Sequence, residues 1–504
     1  MERFLLTALA LLLAVFFYNP DNLNSFWIAR KFPLVGKELG NRKQRVKAFL
    51  SPAGYDLFRR GYEQFRNGVF RVTTDEGELV VLPNSALDEL RSLGDDHITR
   101  YEPMDIKTQG NHTGLHAADD GLAFLIRNEI NRKLPMVTDM LHPEAVTAVP
   151  STLGRLPDWT PVIPARSLMG IVAVVIGRVL VGADLCRDRV YIEHTNLFSR
   201  TLFTCARKLV QLPRYFRYLA RYFMPEFWQL RTSRRRVSEF LRPVIAERQR
   251  ALRLGLDVPE DNITWTLRRL GNDVKDTVDA ITHEQFGLSV SANSVTMLTA
   301  IACLYELAVE PEVIKDLRHE IIAARARHGD KLNSKALFEM KLLDSVMRES
   351  MRLSPTNATR WMRRANRPVK LSDGTVIPTG TVFRVLASPP LFDADIYPDP
   401  FKFDAYRFVR LREGSVKDPI GYNNREMYQF VSAAKENLQW GLDRHACPGR
   451  FFAAVVIKLI LAEVIEHYDI RMPGGAKDKC PYVLRGEFRG VDYTQPLEFR
   501  SVLN

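Results

Sequence analysis

The sequence predicts a mainly α-helical protein with small β-sheets, preceded by one N-terminal transmembrane helix. Three observations lead to this fold class. Long amphipathic helical patterns dominate from about residue 120 onward, short β-branched runs flank the turn at Asp373-Gly374, and an uncharged apolar run opens the chain. No internal repeat and no clear linker interrupts the chain after residue 48, so we expect one large domain over residues 49–504.

Residues 4–18 form a continuous apolar run without a charged side chain. The run is slightly shorter than the roughly 20 residues that usually span a bilayer, but Phe26 and Trp27 can extend it through the interface. A cleaved secretory signal is the alternative, and the weakly charged start and the missing small-residue cleavage site disfavour it. We therefore predict a membrane anchor at residues 1–28 and a basic linker at residues 29–48.

Charge and cysteine content indicate which side of a membrane the chain occupies. Lysine and arginine crowd the residues after the apolar run, and positive flanks stay cytoplasmic. The five cysteines are scattered, which argues against a disulfide framework and agrees with a reducing compartment. The net charge of +12 suits an anionic membrane surface or an acidic partner protein. Without a basic arm, zinc-finger spacing or RNA-binding signature, we expect no nucleic-acid partner.

Local patterns predict the individual elements. Residues 79–82 form a short strand that Pro83 ends, and residues 333–353 form a strong helix with Ser334 as its N-cap. Residues 212–253 interleave arginines with aromatic side chains. That pattern fits a solvated helix face whose aromatics pack inward, and it also fits a segment that lies on a membrane with its aromatics in lipid.

The stretch WGLDRHACPG, residues 440–449 and hereafter the cysteine loop, surrounds Cys447 with features that a core cysteine does not need. Arg444 and His445 place positive charge near the sulfur and favour the thiolate. A proline and Gly449 shape a turn, and the apolar helix that follows directs its N-terminal dipole at the same place. Zinc needs three or four protein ligands, and no second ligand pair has matching spacing. A haem iron with an axial thiolate needs this one cysteine.

The cysteine loop resembles the haem-binding loop of the cytochrome P-450 family, and RHACPGRFFA resembles that of fungal, membrane-bound members. Trp440 stands where Phe is more common in the family, and Asp443 stands where Gly is more common. The resemblance implies that Cys447 ligates the iron of heme b (iron protoporphyrin IX). The residues that it assigns to cofactor binding are Cys447, Trp440, Arg444, His445, Gly449 and Arg363.

The resemblance extends beyond the loop. Glu349 and Arg352, in ESMR, match the family's Glu-x-x-Arg and share a helix face, and Arg407, in DPFKFDAYRF, matches the arginine that completes the family's Glu-Arg-Arg network. We expect a structural role, because unpaired buried charges cost several kcal/mol. Surface-facing basic side chains before residue 134 are candidates for propionate or reductase contact, or are simply solvated: Arg127, Arg132 and Lys133.

Residues 286–308 resemble the long helix that crosses over the haem in this family. Members usually carry a small residue, Gly, any residue, an acid and Thr at its centre, where the acid and Thr help to deliver protons to oxygen. The matching register places Ser294 at the acid and Val295 at the Thr. We expect Ser294 or Asn293 to hold a water that relays protons, with Thr296 as a neighbouring hydroxyl. The alternative is that Ser294 and Thr296 bond back to the helix backbone.

The resemblance implies a monooxygenase in the endoplasmic reticulum membrane, single-pass, with its catalytic domain cytosolic. It would use O2 to hydroxylate or epoxidise a hydrophobic small molecule, such as a fungal terpenoid, alkaloid or polyketide intermediate. Electrons from NADPH would arrive through a separate NADPH-cytochrome reductase flavoprotein, because this chain lacks a dinucleotide fingerprint. Two alternatives stay open: a haem-thiolate isomerase, dehydratase or ring-forming enzyme without external O2, and a non-catalytic haem-binding protein.

Overall fold

The structure, a computed structural model, describes residues 30–116, 119–270 and 274–502. The predicted anchor, residues 1–28, lies outside the described residues. The described part is mostly helical and carries four small sheets, which confirms that part of the predicted fold class, and the N-terminal transmembrane helix stays a prediction.

The helices are distributed along the described part of the chain. In chain order they are α1 (Arg42–Phe49), α2 (Ala53–Gln64), α3 (Leu87–Leu90), α4 (Tyr101–Thr108), α5 (Gly110–Thr113), α6 (Asp120–Leu125), α7 (Leu134–Leu153), α8 (Pro164–Val181), α9 (Arg189–Gln211), α10 (Arg214–Phe223), α11 (Pro225–Arg253), α12 (Asn262–Leu270), α13 (Val274–Leu307), α14 (Pro311–Arg327), α15 (Ser334–Glu339), α16 (Lys341–Leu353), α17 (Arg407–Glu413) and α18 (Arg450–His467). A π-helical turn over Ile126–Asn131 connects α6 with the start of α7.

The strands are short and build sheets at the edge of the helical body. They are β1 (Leu34–Val35), β2 (Phe70–Thr73), β3 (Glu78–Leu82), β4 (Ile98–Thr99), β5 (Thr160–Val162), β6 (Thr359–Ala365), β7 (Val369–Lys370), β8 (Val376–Ile377), β9 (Val382–Leu386), β10 (Tyr468–Arg471), β11 (Val483–Arg485), β12 (Phe488–Gly490) and β13 (Leu497–Ser501). The largest sheet has the order β1-β2-β3-β9-β6-β4, the second has the order β10-β13-β5, and β7–β8 and β11–β12 are separate pairs.

The sheets confirm two of the predicted elements. The predicted strand over residues 79–82 is β3, and it ends before Pro83 as expected. The predicted hairpin at Asp373-Gly374 is the antiparallel pair β7–β8. Gly374 has a φ of 86° there, a left-handed conformation that glycine adopts without steric cost.

The predicted helix over residues 333–353 is two helices, α15 and α16, separated at Met340. Met340 has a ψ of 75°, which is incompatible with a continuous helix. The N-cap is Asn333 rather than Ser334, because the Asn333 carboxamide oxygen accepts hydrogen bonds from the backbone N–H groups of Lys335 and Ala336 at 3.0 Å.

Part of the predicted linker, residues 29–48, is folded onto the body of the protein. Strand β1 pairs with β2 in the largest sheet, and α1 begins with a reciprocal capping box between Asn41 and Gln44. The Arg45 guanidinium donates from Nε to the Thr73 hydroxyl at 2.9 Å. The basic segment therefore contributes an edge strand and a helix to the same domain.

Helix α13, hereafter the central helix, runs through the core and packs against α8, α9, α11, α16 and α18. Two stretches in the described residues, α8 and Thr277–Leu307 of the central helix, are long and apolar enough to cross a membrane. Inside the fold, 61% and 67% of their apolar windows are buried. Their hydrophobic character is thus explained by core packing, which a helix apolar on all sides requires.

Candidate active site around Cys447

The cysteine loop is held in a tight turn by its own backbone. The Cys447 N–H donates to the Trp440 carbonyl at 2.6 Å. Gly441 has a φ of 75°, and a Cβ there would lie 3.1 Å from the His445 carbonyl oxygen. Helix α18 follows directly, with Gly449 as its N-cap. The loop thus presents Cys447 just before the N-terminus of a buried helix, where the helix dipole favours an anion.

Asp443 explains why glycine is the more common residue at its position. Its φ is 52°, so the loop requires a left-handed residue there. Aspartate is one of the few residues with a side chain that adopts this conformation with moderate strain. Its carboxylate lies 3.8 Å from Arg91 Nη1, while Arg444 pairs with Asp95 at 3.1 Å.

The Cys447 thiol is surrounded by opposing influences. Burial raises its pKa, whereas the N–H groups of Gly449 and Arg450 and the charges of Arg450 and Arg360 favour the thiolate. Arg450 also donates from Nη1 to the Cys447 carbonyl at 2.9 Å. The donors that surround the sulfur therefore suit a cysteine that binds as thiolate once a cation offsets the cost of burial.

Trp440 is fixed beside the loop in one orientation. Its indole Nε1–H donates to the Phe430 carbonyl at 2.6 Å, and its ring meets the Phe430 ring edge-on with centroids 5.2 Å apart. The buried indole forms part of a cavity wall. The Trp for Phe replacement is thus accommodated by a hydrogen bond that Phe could not make.

A cavity lies between Trp440 of the cysteine loop and the central helix. Its lining is mostly apolar, with a few polar side chains, as is typical of sites for hydrophobic small molecules and cofactors. The lining residues are Val295, Leu298, Thr299, Ala302, Met351, Ser354, Pro355, Thr356, Arg360, Gln439, Trp440, Phe488, Gly490 and Val491.

The central helix presents one stripe of side chains to this cavity. Val295, Leu298, Thr299 and Ala302 follow the spacing of a single helix face. Val295 is 55% exposed, and it borders the cavity. Thr299 supplies the only hydroxyl of this stripe and donates it to the Val295 carbonyl at 3.0 Å. The sequence analysis did not single out Thr299, although its spacing of four residues from Val295 could have indicated it.

The three predicted catalytic residues are not among those that line the cavity. Asn293 is buried and donates from Nδ2 to the Asn196 carboxamide oxygen of α9 at 3.4 Å, and Thr296 is also buried. Ser294 is partly buried. Near this position, the Ser291 hydroxyl bonds back to the helix backbone, as the Thr299 hydroxyl does. The predicted proton relay through Ser294 stays a prediction.

Four basic side chains, hereafter the basic cluster, gather beside the cysteine loop: Arg100, Arg363, Arg444 and His445. Burial lowers the pKa of Arg363 to about 10, and Arg100 and Arg444 add to the effect. Burial and the same three arginines lower the pKa of His445 to about 4. Buried Nη2 of Arg363 and Nε of Arg100 have no hydrogen-bond partner among the described residues. Arg363 has no ion-pair partner among the described residues, and an unpaired buried cation is costly, so the cluster suits an anion.

Strand β6 carries a bulge that positions Arg363. The register with β9 shifts between Arg360 and Arg363, and Trp361 within the bulge has a φ of 53°. A bulky residue in this conformation is strained, and such strain is common at functional sites. The Arg363 guanidinium lies over the Trp361 ring at 4.1 Å, and its Nη1 donates to the Met362 carbonyl. The bulge therefore places both arginines at the site.

The structure brings Glu349, Arg352 and Arg407 together below the site. Arg352 donates to both Glu349 carboxylate oxygens at 2.8 Å, and Arg407 Nε donates to Oε1 at 3.1 Å. Glu349 is fully buried, so its charge is compensated by these two arginines. Arg352 and Arg407 also donate to backbone carbonyls, including that of Pro398, so the triad fixes the segment that leads towards the cysteine loop.

Comparison with known proteins identifies this arrangement. The family model described as Cytochrome P450 matches residues 160–484, which is more than half of the chain. The chain belongs to the cytochrome P450 family. Membership implies a haem-thiolate cofactor and an oxidoreductase activity that uses O2, and this P450 has the fold of the family.

Several fungal monooxygenases are similar to this P450 over most of its length. Cytochrome P450 monooxygenase braC of Annulohypoxylon truncatum is 31% identical over 443 residues, 87% of this chain and 86% of the relative. Cytochrome P450 monooxygenase BOA4 of Botryotinia fuckeliana is 30% identical and covers 83% and 84%. Cytochrome P450 monooxygenase TES1 of Alternaria alternata is 28% identical over 501 residues, 99% and 93%. The protein is therefore a cytochrome P450 monooxygenase of the fungal type.

The π-helical turn of this P450 fastens the cysteine loop from the side. Arg127 donates from Nη2 to the Arg444 carbonyl at 2.8 Å, and Asn131 donates from Nδ2 to the Pro448 carbonyl at 2.9 Å. Single π-turns are frequent at functional sites. Lys133, in contrast, lies over the Trp265 ring at 4.7 Å and pairs with Glu129 at 3.1 Å.

The C-terminal segment of this P450 forms the wall opposite the central helix. Phe488, Gly490 and Val491 come from β12 and the residue after it. This segment is anchored at the end of the central helix, where fully buried Glu306 accepts hydrogen bonds from Lys479 Nζ at 2.6 Å and from the Tyr482 hydroxyl.

Proposed function

We propose that this P450 hydroxylates or epoxidises a hydrophobic small molecule, using O2 and electrons from NADPH, with Cys447 as the residue that would hold the iron of heme b. The observation that carries the proposal is the apolar cavity between the Cys447 loop and the Val295–Ala302 stripe of the central helix. A cavity with Trp440 of the cysteine loop at one side and a mostly hydrocarbon wall at the other suits a cofactor held by Cys447 with an apolar substrate next to it.

The residues present fit a haem. The buried N–H groups of Arg363 and Arg100 that have no partner among the described residues, with His445 alongside, suit the two propionates. When bound, the haem supplies the oxygen activation that inserts one oxygen atom into a C–H bond or an alkene. The protein's own part is to hold the thiolate at Cys447, to exclude water with the apolar walls and to hold the substrate in place.

Electrons would come from a separate NADPH-cytochrome reductase. The cysteine loop carries Arg444, and neighbouring Arg127 and Arg91 extend a basic surface around it. Complementary charge steers an acidic flavoprotein to such a surface and speeds association. The net charge of +12 supports the same assignment.

We place the enzyme on the endoplasmic reticulum membrane with its catalytic domain in the cytosol. Besides the predicted anchor, helices α10 and α11 support this location. Their exposed apolar side chains lie close in sequence to exposed arginines such as Arg235 and Arg236, which suits lipid head groups. The exposed side chains are Phe216, Tyr218, Leu219, Tyr222, Phe223 and Trp228.

Two other functions have distinct expectations. Val295 places a hydrocarbon where the family usually has Thr, which favours a haem-thiolate isomerase, dehydratase or ring-forming enzyme that needs no external O2. That enzyme would turn over without NADPH or reductase. A non-catalytic haem-binding protein would show substrate-induced spectral shifts and no product under any electron supply.

The substrate class that we propose remains a terpenoid, alkaloid or polyketide intermediate of fungal secondary metabolism.

The test is incubation with reductase, NADPH and candidate intermediates under ¹⁸O-labelled dioxygen, followed by mass spectrometry. We expect one labelled oxygen atom per product, and product formed without label or NADPH would establish the isomerase class instead. The Cys447→Ser variant should lose the red-shifted Soret band of the reduced carbon monoxide complex. Cys480→Ser is the matched control, because Cys480 is also a partly buried free cysteine and lies outside the cysteine loop.

A further inference from the structure

Arg360 is a cation in the wall of an otherwise mostly apolar cavity. It lies in β6 at the start of the bulge and lines the cavity together with Thr356 and Gln439. Every hydrogen bond that its side chain donates to the described residues comes from Nη2. The acceptors are the Thr356 hydroxyl at 2.7 Å, the Pro355 carbonyl at 3.3 Å and the Gln439 carboxamide oxygen at 3.3 Å.

Two hydrogen-bond donors at this place have no partner. In the part of the chain that the structure describes, the buried Nε of Arg360 and the buried Nε2 of Gln439 make no hydrogen bond. Because Gln439 accepts from Arg360 through its oxygen, its amide nitrogen is the atom left over. A buried donor without an acceptor costs about 1–3 kcal/mol, so the pair of donors favours an incoming acceptor.

The positive charge of Arg360 is also unpaired. Among the described residues, no Asp or Glu lies within ion-pair distance of its guanidinium, and burial lowers its pKa. Glu487, the acidic side chain with the greatest influence on it, is occupied by Arg384 and by the Thr359 hydroxyl. A buried cation of this kind is normally paired or binds an anionic ligand.

We propose that Arg360, assisted by Gln439, binds the carboxylate of an acidic and otherwise apolar substrate. The proposal rests on the proposed function, because it names the substrate class of the same site. A carboxylate matches the planar guanidinium and carries one charge, as the cavity does. A phosphate or diphosphate would need further cations, and the remaining described residues of the lining are uncharged.

The propionates of the cofactor have their own set of cations, although the charge of Arg360 also favours the Cys447 thiolate. The arginines that act on His445 are Arg100, Arg363 and Arg444, and the bulge at Trp361 separates Arg360 from Arg363 along β6. The basic cluster thus accounts for the propionates, and Arg360 remains for the substrate. This assignment makes a specific expectation: loss of Arg363 weakens haem retention, and loss of Arg360 does not.

The experiment measures ligand binding by the shift of the Soret band in the purified ferric holoenzyme. The probes are lauric, farnesoic and abietic acids, each compared with its methyl ester, so that size and shape are matched within each pair. We expect the wild-type protein to bind at least one acid about tenfold more tightly than its ester, and Arg360→Met to abolish that preference. Arg364→Met is the matched control. Arg364 lies on the same strand as Arg360, pairs with Glu102 and does not line the cavity.

Haem content per protein and the carbon monoxide spectrum are recorded for each variant. Unchanged haem content in Arg360→Met, with the acid preference lost, supports the proposal. If Arg360→Met loses haem as Arg363→Met does, Arg360 serves the cofactor and the proposal is wrong. If no acid is preferred over its ester by the wild-type holoenzyme, the proposal is also wrong, whether or not any variant folds. A normal carbon monoxide spectrum in that case leaves the proposed function intact.

Discussion

Arg407 reaches back across 58 residues of chain and donates from Nε to the Glu349 carboxylate at 3.1 Å. Both side chains are buried, and Arg352 occupies the same carboxylate. Arg407→Ala should therefore lower the free energy of unfolding by about 3–5 kcal/mol, because a buried charge loses part of its compensation. Chemical denaturation followed by circular dichroism measures this change, and haem content should fall with it.

The control for that variant lies on the same helix. Arg410 pairs with Asp404 at the surface and is about two-fifths exposed, at 41%. Arg410→Ala should change the free energy of unfolding by no more than about 1 kcal/mol, as exposed pairs do. Equal losses in the two variants would show that burial of the Glu349 triad is not what stabilises this region.

The left-handed conformation of Asp443 predicts which substitutions the cysteine loop tolerates. Asp443→Gly should leave the free energy of unfolding within about 0.5 kcal/mol of wild type, because relief of strain offsets the greater freedom of glycine in the unfolded chain. Asp443→Val should lower it by about 1–2 kcal/mol, since a β-branched residue resists a φ of 52°. The denaturation midpoints of these two variants, compared with that of the wild type, measure the difference. Asp478 is at an exposed loop position where φ is not positive. Asp478→Val should therefore leave the free energy of unfolding nearly unchanged.

Thr299 and Ser294 can be compared as sources of the hydroxyl that supports oxygen chemistry. Thr299 lines the cavity and Ser294 does not, so Thr299→Val should raise the peroxide released per NADPH by about twofold or more. Ser294→Ala should raise it less. Peroxide assays alongside NADPH consumption provide the ratio. A larger effect at Ser294 would support the relay predicted from the sequence and remove Thr299 from that role.

The end of α18 should make stability depend on pH. A hydrogen bond to Glu463 raises the pKa of His467 above its usual 6.5, with Glu466 adding to the effect and burial and Arg325 opposing it. The protonated imidazole therefore contributes stability below about pH 6.5, and that contribution is lost as the pH rises through the raised pKa. His467→Ala should reduce the unfolding midpoint at about pH 5.5 and leave it unchanged at about pH 9.

A double-mutant cycle isolates that pair. In a Glu463→Gln background, His467→Ala should have the same effect at both pH values, because the imidazolium has lost its acceptor carboxylate. A pH-dependent difference that persists in this background would mean that another group, such as Glu466, carries the linkage.

The exposed aromatic side chains of α10 and α11 predict lipid contact. Trp228 is 61% exposed and follows Phe223, which is 82% exposed. In liposomes that contain brominated lipids, Trp228→Phe should remove a quenchable part of the tryptophan emission. Trp159→Phe is the control, because Trp159 lies between Arg471 and Arg500 in another part of the fold. Equal quenching in both variants and wild type would exclude this surface from the bilayer.

Local sequence patterns were sufficient for much of the fold. The β7–β8 hairpin, strand β3 and the apolar helix after Cys447 follow from turn residues and periodicity, which act over a few residues. The break at Met340 does not follow from such local patterns, because capping by Asn333 and the docking of α15 depend on neighbours in space. Propensity is a weak guide where tertiary contacts compete with it.

The candidate site divides in the same way. Cys447 and Glu349 are embedded in spaced motifs, so sequence alone indicates them. Arg100 and Arg360 carry no such motif, and only the fold shows that one joins the basic cluster and the other enters the cavity. The orientation of the central helix likewise decides that Thr299, rather than Thr296, is at the wall.

The anchoring of the C-terminal segment at Glu306 separates two tasks within one enzyme. Residues 488–491 form one cavity wall but are fastened by Lys479 and Tyr482, well away from the contacts that hold Cys447. Insertions or substitutions in the β11–β12 hairpin can therefore change which substrates bind without disturbing iron ligation. Chimeras that exchange residues 483–491 between fungal P450s should therefore change the substrate selectivity while the site that holds the haem is preserved.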